Sequence, residues 1–299
     1  QLSMERFELE LSQNYPKYLK IKLLDEKISI KGIQQQLDEE MSYVAFYVAP
    51  KRIFTLVINK QNVKILANSL NASEYESQIK ALRTALDHDP KIGKYTGEMA
   101  SQYLYKTLFA PIEKLLEGKT RLVISRNGKL NIIPLDVLAF APKRYLVNKF
   151  AIGYAYNASL QFSKKSSVWG KPSLFVFAPF AKPSGQFAAR GDTLRFLPAT
   201  IGECRKLGGT LYSNDQARKT TFLETQRQQA QQGGAAIFHF ATHSVIDSLP
   251  EKSFVAFHPS DTQEFRLFTT EIQNLNLSNI KLAVLNSCSS AYGQLIENE

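Results

Sequence analysis

The chain has 299 residues, more than a single hydrophobic core usually supports, so we expect two domains. Apolar residues make up 44% and charged residues 21%, a balance that excludes an intrinsically disordered chain. No apolar run reaches the roughly 20 residues that a membrane-spanning helix needs, and Gln1 to Gln13 lacks the pattern of a signal peptide. We therefore expect a cytoplasmic protein with no membrane partner.

Composition also bears on nucleic acids and metals. The net charge is +10, but the Lys and Arg residues are scattered, and clusters such as Lys164-Lys165 are not interleaved with aromatic residues. This pattern favours a solvated basic surface, so we predict no nucleic-acid partner. The two cysteines, Cys204 and Cys288, lie far apart and form no CxxC pair, so no metal site is predicted.

Residues 1–165 are predicted to form an α+β module. The pattern indicates a helical lead-in, an antiparallel meander of three strands, two helices, and a hairpin around Asn127-Gly128, whose residue pair is typical of a tight turn. The corresponding segments are Met4 to Leu37 for the lead-in, Ser42 to Ala67 for the meander, Ser73 to Asp87 and Gly97 to Glu117 for the helices, and Arg121 to Ser125 and Ile132 to Leu138 for the hairpin strands.

Residues 166–299 are predicted to form an α/β region, and the polar stretch Ser163 to Pro172 marks the boundary. Apolar strands alternate with helices, which is typical of a parallel sheet covered by helices on both faces. The predicted strands are Leu174 to Ala178, Thr210 to Tyr212, Ala235 to Ala241 and Lys281 to Leu285; the helices are Ala199 to Leu207 and Thr220 to Gln232, with Thr220-Thr221 as N-cap; the hairpin Phe254 to Phe268 and the helix Thr269 to Leu275 follow.

Two reactive side chains follow two of these apolar strands. His243 comes after the strand that ends at Ala241, and Cys288 comes after the strand that ends at Leu285, 45 residues later. Because ligands bind at the carboxyl ends of parallel strands, we expect the imidazole and the thiol to lie on one rim of the sheet. A thiol with a pKa of about 8.5 needs such a base to become a nucleophile.

The expected chemistry is attack of the Cys288 thiolate on a carbonyl group, with His243 as the base. The backbone N–H groups of Ser244 and Cys288 are predicted to stabilise the oxyanion that forms. This chemistry needs no cofactor. Asp247 and Glu251, in the loop after His243, could orient the imidazole, although solvated loop charges are commoner.

The other cysteine and histidines have simpler interpretations. A cysteine at a strand end is more often a buried apolar residue than a nucleophile, and only its pairing with His243 distinguishes Cys288. Cys204 is predicted to pack inside a helix, and His239, inside a strand, to face a helix layer. His88 and His258 are predicted to be surface residues. A nucleotide-binding function is disfavoured because Pro179 to Pro183 replaces a glycine-rich phosphate loop.

At these residues the sequence resembles the CHAT family, bacterial relatives of caspases and separase. The resemblance covers nearly the whole chain and rests on the motifs IFHFATHS (Ile237 to Ser244), LNLSNIKLAVLNSCSSAYGQL (Leu275 to Leu295), FTTEIQNLNL (Phe268 to Leu277) and LVISRNGKLNIIPLDVL (Leu122 to Leu138). It implies a caspase-like, mostly parallel sheet flanked by helices, preceded by a pseudo-peptidase-like companion module. It also implies that His243 and Cys288 are the catalytic pair.

The resemblance implies a cysteine endopeptidase that cleaves a protein partner in bacterial defence or regulated cell death, with a gasdermin as one such substrate. Other partners implied are a sensor or repeat domain and the protein's own C-terminal fragment. The alternative is a catalytically silent module that binds another protein.

The sequence departs from caspases at three points. Ser244 stands where glycine is frequent, and Asn286-Ser287-Cys288 replaces Gln-Ala-Cys, so cleavage after aspartate is not expected. The chain also ends at Glu299, eleven residues after Cys288, whereas the resemblance implies further strands. Either the chain was truncated or it is the large fragment of a processed precursor, and we favour the second interpretation.

Overall fold

The computed structural model describes residues 28–87, 94–162, 170–183, 187–189, 192–247, 249–259 and 265–287. These residues divide into two compact units, which we call the N-terminal unit (described residues up to 162) and the C-terminal unit (described residues from 170). No helix in the described ranges is both long and apolar enough to cross a bilayer.

The N-terminal unit is built on a five-stranded sheet with the order β3-β2-β1-β4-β7. The predicted meander is confirmed, since β1, β2 and β3 pair antiparallel, while β4 and β7 extend the sheet in parallel. A separate two-stranded ribbon joins β5 and β6. The strands are β1 (Met41–Ala49), β2 (Arg52–Ile58), β3 (Val63–Ser69), β4 (Arg121–Ser125), β5 (Ala139–Ala141), β6 (Arg144–Tyr145) and β7 (Ala151–Ala155).

Helices cover both faces of this sheet. Alternate strand residues such as Val44 and Val57 pack in the main core with helices α2 and α3, whereas Tyr43 and Ile58 pack with α1 and α4 on the opposite face. The helices are α1 (Ile30–Gln36), α2 (Ala72–Leu86), α3 (Glu98–Leu108) and α4 (Ala158–Phe162). Of the predicted helical lead-in, residues 4–27 lie outside the described residues.

The helix predicted from Gly97 to Glu117 is divided in two. The α-helix α3 ends at Leu108, and a 3₁₀ helix, Ala110–Leu116, follows with Pro111 in its first turn. Proline has no N–H group and its ring clashes with the preceding turn of an α-helix, so the α-helical hydrogen bonding stops before it.

The hairpin predicted at Asn127-Gly128 is wrong. A type I′ turn needs positive φ at both central residues, but only Gly128 has one, at 53°, and Asn127 has φ of −129°. The strand before the pair, β4, joins β1 and β7 in parallel, and the segment after it forms 3₁₀ turns at Gly128–Ile132 and Leu135–Val137. The Asn127 side chain instead accepts a hydrogen bond from the Val48 N–H at 2.8 Å, which ties this loop to the end of β1.

The C-terminal unit contains the predicted parallel sheet flanked by helices. Its strand order is β11-β8-β12-β16, and every pairing is parallel. The strands of this sheet are β8 (Ser173–Ala178), β11 (Thr210–Ser213), β12 (Ala236–Ala241) and β16 (Ile280–Asn286); β9 (Phe187–Ala189) and β10 (Asp192–Leu194) form a two-stranded ribbon after β8. Helix α5 (Pro198–Leu207) precedes β11, and α6 (Lys219–Gln232) precedes β12.

The two faces of this sheet differ in side-chain size. Phenylalanines of β8 and β12 alternate onto one face, where Phe177 and Phe238 contact Phe222 of α6 edge-on at centroid distances of 6.0 and 5.4 Å. Small residues alternate onto the other face, where Ala178 and Ala241 pack against Cys204 of α5. The period-two pattern within nearly continuous apolar strands thus places α6 over an aromatic layer and α5 over the face that carries Ala178 and Ala241.

A smaller antiparallel sheet lies at the carboxyl end of β12. It contains β13 (Ser244–Val245), β14 (Phe254–Ala256) and β15 (Arg266–Phe268), and the short helix α7 (Thr269–Gln273) follows. The predicted hairpin and short helix are therefore confirmed. The N-cap predicted at Thr220-Thr221 is wrong, because α6 begins one residue earlier and its cap residue, Arg218, makes no side-chain capping bond.

Candidate active site

The carboxyl ends of β12 and β16 lie side by side. The two strands are in parallel register, with His239 opposite Val284 and Ala241 opposite Asn286. The contact continues past the end of β12, because the Thr242 N–H donates to the Asn286 carbonyl oxygen at 3.2 Å. The residues that follow the two strands therefore leave the sheet at the same edge.

His243 leaves β12 with its imidazole ring held on two sides. The ring packs edge-on against Phe180 at a centroid distance of 4.9 Å, and Nε2 lies 2.7 Å from the Arg195 carbonyl oxygen. A carbonyl oxygen only accepts hydrogen bonds, so Nε2 carries the proton in this contact. In the neutral imidazole, Nδ1 is then the basic nitrogen, which is the state that a general base needs.

The backbone on either side of His243 is fixed by the smaller sheet. The Ala256 N–H donates to the His243 carbonyl oxygen at 2.9 Å, and the Thr242 hydroxyl donates to the Ala256 carbonyl oxygen at 2.6 Å. Ser244 lies in β13, in register with Val255. Ser244, whose N–H group is predicted to stabilise the oxyanion, thus belongs to the smaller antiparallel sheet, which the sequence analysis did not assign to it.

The predicted nucleophile, Cys288, lies outside the described residues, which reach Ser287 on this side of the chain. The Ser287 hydroxyl is buried and has no hydrogen-bond partner within the described part of the chain. The described residues therefore include the strand that leads to Cys288 and the candidate base, His243, but not the thiol.

Neither contact described for the acidic residues after His243 is with its imidazole. The Leu249 N–H donates to the Asp247 carboxylate at 2.9 Å, and the Asp247 N–H donates to the Ser253 hydroxyl at 3.0 Å. Glu251 lies exposed in the 3₁₀ turn Pro250–Lys252. The contact described for the His243 ring nitrogen comes instead from the backbone of Arg195, and a backbone carbonyl has no side-chain signal in a sequence.

A carboxylate that the sequence analysis missed, Glu203 of α5, lies against both strands. Its Oε1 is 2.9 Å from His239 Nε2, and both of its oxygens are 2.9 Å from the Asn286 side-chain nitrogen. His239 is buried and faces α5, as predicted for a structural histidine inside the strand. The sequence did contain a carboxylate on a predicted helix and a histidine on a predicted strand. Because these residues are 36 positions apart, no local pattern indicated that they would be in contact.

Cys204, next to Glu203, is a packing residue as predicted. It is 1% exposed and contacts the small-residue face of the sheet. Burial, reinforced by the negative charge of Glu203, raises the pKa of its thiol to about 11. Because the thiolate is the reactive form of cysteine, Cys204 is an inert thiol at neutral pH.

The two remaining histidines, His258 and His88, are not among the predicted site residues. His258 is partly buried rather than a surface residue, and its pKa is lowered by burial. His88 lies outside the described residues. No group of three or more His, Cys, Asp or Glu side chains in the described ranges is arranged to hold a metal ion.

Comparison with known proteins gives one family. The family model described as the CHAT domain matches residues 98–299, which is more than half of the chain. The comparison with curated proteins gives no significant match.

Proposed function

Since this chain belongs to the CHAT domain family, which is caspase-like and related to cysteine peptidases, we propose that it is a cysteine endopeptidase in which His243 activates Cys288. The single observation that carries the proposal is the contact between Thr242 and Asn286 at the paired strand ends. His243 follows directly after Thr242, and Cys288 lies two residues after Asn286. The chain connections therefore favour an imidazole and a thiol within reach of each other.

The proposed reaction begins with proton transfer. His243 Nδ1 takes the proton of the Cys288 thiol, and the thiolate attacks the carbonyl carbon of the scissile peptide bond. The carbonyl oxygen becomes an oxyanion, to which the N–H groups of Ser244 and Cys288 donate. The Arg195 carbonyl oxygen, 2.7 Å from Nε2, stabilises the imidazolium that forms and keeps the ring oriented.

Breakdown of this intermediate releases the first product. The imidazolium gives its proton to the leaving amine nitrogen, the C–N bond breaks, and a thioester remains on Cys288. Water then attacks the thioester carbon, with His243 taking a proton from the water and returning it to the sulfur. The second product leaves as a carboxylic acid, and the enzyme returns to its starting state.

We propose a protein as the substrate. The support is the family relationship to caspase-like peptidases, and the proposed setting in bacterial defence or regulated cell death rests on the same resemblance. Substrate cleavage is tested by incubating the protein with candidate partner proteins and comparing it with Cys288→Ala and His243→Ala. Cleavage that survives both substitutions would overturn the assignment.

Thiol reactivity tests the pair without a known substrate. We expect iodoacetamide at pH 7 to alkylate Cys288 much faster than Cys204, because burial keeps the Cys204 thiol protonated, whereas His243 is proposed to stabilise the Cys288 thiolate. Mass spectrometry of the two cysteine-containing peptides measures both rates in one sample. His243→Ala should lower the Cys288 rate, and so reduce its advantage, while leaving the Cys204 rate unchanged. A Cys288 rate that does not depend on His243 is the result expected of a silent binding module.

A further inference from the structure

Glu203 occupies a distinctive place between the strand that leads to His243 and the strand that leads to Cys288. Its carboxylate contacts His239, which lies four residues before His243, and Asn286, which lies two residues before Cys288. His239 and Asn286 belong to neighbouring strands, β12 and β16, and point to the same face of the sheet. One helical side chain therefore links both strands just before their carboxyl ends.

The Asn286 end of this link is connected to the candidate site by backbone contacts. The Asn286 carbonyl oxygen accepts from Thr242, and the Thr242 hydroxyl in turn donates to Ala256. The side chain of Asn286 is thus held by Glu203 while its main chain is held by the residue before His243. Because both its side chain and its main chain are held, Asn286 fixes the point at which the following residues leave the sheet.

We propose that Glu203 is a positioning residue, which sets the distance between the Cys288 thiol and the His243 imidazole by fixing Asn286. The inference rests on the proposed function and deepens it. A misplacement of reacting groups by about 1 Å is enough to lower a rate about a hundredfold. A hydrogen-bonded link only two residues from the nucleophile can therefore affect the reaction rate strongly.

The link also has a definite donor and acceptor pattern, which allows it to be broken and repaired. The Asn286 amide nitrogen donates and the Glu203 carboxylate accepts. Asn286→Asp places two carboxylates against each other, so the contact becomes repulsive. Adding Glu203→Gln restores a donor opposite an acceptor, with the amide group now on the helix. The two exchanges conserve side-chain length at both positions.

The experiment measures the rate of Cys288 alkylation by iodoacetamide at pH 7 in the wild type, the two single variants and the double variant. We expect Asn286→Asp to lower the rate about tenfold or more, because a thiol moved away from the imidazole returns to its ordinary, mostly protonated state. The double variant should recover most of that loss. Recovery by the swapped pair is a result that general weakening of the fold does not produce.

Two controls separate positioning from loss of structure. Cys204 is adjacent to Glu203 and buried, so its alkylation in the same samples reports any loosening of α5 from the sheet. The matched variant is Glu271→Gln in the same unit. It breaks the ion pair between Glu271 and Lys219, whose charged atoms are 2.6 Å apart. The contacts described for Glu271 involve neither β12 nor β16. We expect Glu271→Gln to leave the Cys288 rate unchanged.

Each outcome decides the inference. A slow Cys288 in Asn286→Asp, with recovery in the double variant and an unreactive Cys204, supports it. An unchanged rate, a loss that the double variant does not recover, or parallel exposure of Cys204 overturns the positioning role while the proposed function stands. If wild-type Cys288 shows no His243-dependent reactivity, the proposed function and this inference both fall.

Discussion

Two buried tyrosines of the N-terminal unit differ in what their hydroxyl groups contact. Tyr75 is 2% exposed, and its hydroxyl has no hydrogen-bond partner within the described part of the chain. Tyr105 is similarly buried, but its hydroxyl donates to the Glu113 carboxylate at 2.5 Å. A buried polar group without a partner costs stability, whereas a hydrogen bond to a charged group contributes to it.

We expect Tyr75→Phe and Tyr105→Phe to change stability in opposite directions. Tyr75→Phe removes an unsatisfied hydroxyl and should raise the free energy of unfolding by up to about 1 kcal/mol. Tyr105→Phe removes a charge-assisted bond and should lower it by about 1 to 2 kcal/mol. Urea denaturation followed by circular dichroism measures both. Equal destabilisation by the two substitutions would show that Tyr75 has a partner after all.

At the scale of elements, the connection from α5 to β11 is set by a pair of glycines. Gly208 and Gly209 have φ of 71° and 84°, in a region that side chains other than glycine rarely adopt. Their surroundings differ. A Cβ atom on Gly208 would meet nothing within 4 Å, whereas one on Gly209 would lie 2.5 Å from the Leu174 carbonyl oxygen in β8.

Alanine at the two glycines therefore separates backbone strain from a steric clash. Gly208→Ala is expected to cost about 1 to 2 kcal/mol of unfolding free energy, from the positive φ alone. Gly209→Ala should cost clearly more, because the clash is with backbone and forces β8 and β11 apart. Thermal denaturation of the two variants side by side gives the comparison, and a Gly209→Ala protein as stable as Gly208→Ala would contradict the close approach.

The elements of the C-terminal unit also explain which helix reaches the candidate site. Phenylalanines of β8 and β12 pack beneath α6, whereas Ala178 and Ala241 pack beneath α5. His239 and Asn286 point to the α5 face, where Glu203 contacts both. The alternation of side chains along β12 and β16 thus decides that α5, and not α6, contacts the strand ends.

For the whole molecule, tyrosines of the N-terminal unit set an alkaline limit on stability, and three of them have the largest rises in pKa. Burial raises the pKa of Tyr75 above its usual value, and burial together with the neighbouring carboxylates Glu113 and Asp136 does the same for Tyr105 and Tyr154. These groups therefore keep their protons in the folded state at a pH at which the unfolded chain loses them. The folded state binds more protons above about pH 10, so stability falls as pH rises.

We expect the free energy of unfolding to decline from about pH 10 upwards through ionisation of these tyrosines in the unfolded chain, and to be insensitive to them below that pH. Urea titrations at pH 8, 10 and 11 measure the slope. The Tyr75→Phe protein should lose less stability than the wild type over the same interval, because one of the shifted groups is gone. An equal slope in the two proteins would remove Tyr75 from the explanation.

Some of this organisation follows from local sequence patterns. Apolar strands such as LFVFA and AAIFHFA predict strands covered on both faces, and helical stretches between them predict the parallel sheet that is observed. The same pattern predicts that His243 and Cys288 follow neighbouring strands. The structure confirms that these two strands, β12 and β16, are paired. At Asn127-Gly128 the local pattern predicts a hairpin that does not form. The preceding strand, β4, pairs instead with β1 and β7, which are distant in the chain.

The sequence by itself determined the alternation of strands and helices in the C-terminal unit, the faces of its strands and the edge of the sheet at which the candidate site is proposed. These properties depend on side-chain periodicity and on residues close together in the chain. Only the tertiary structure decided which groups contact the candidate site: the Arg195 carbonyl oxygen lies on His243, 48 residues away, and Glu203 lies on Asn286, 83 residues away. A backbone carbonyl is the same in every residue, and a carboxylate on a helix can face many partners, so their roles are fixed only when packing brings the elements together.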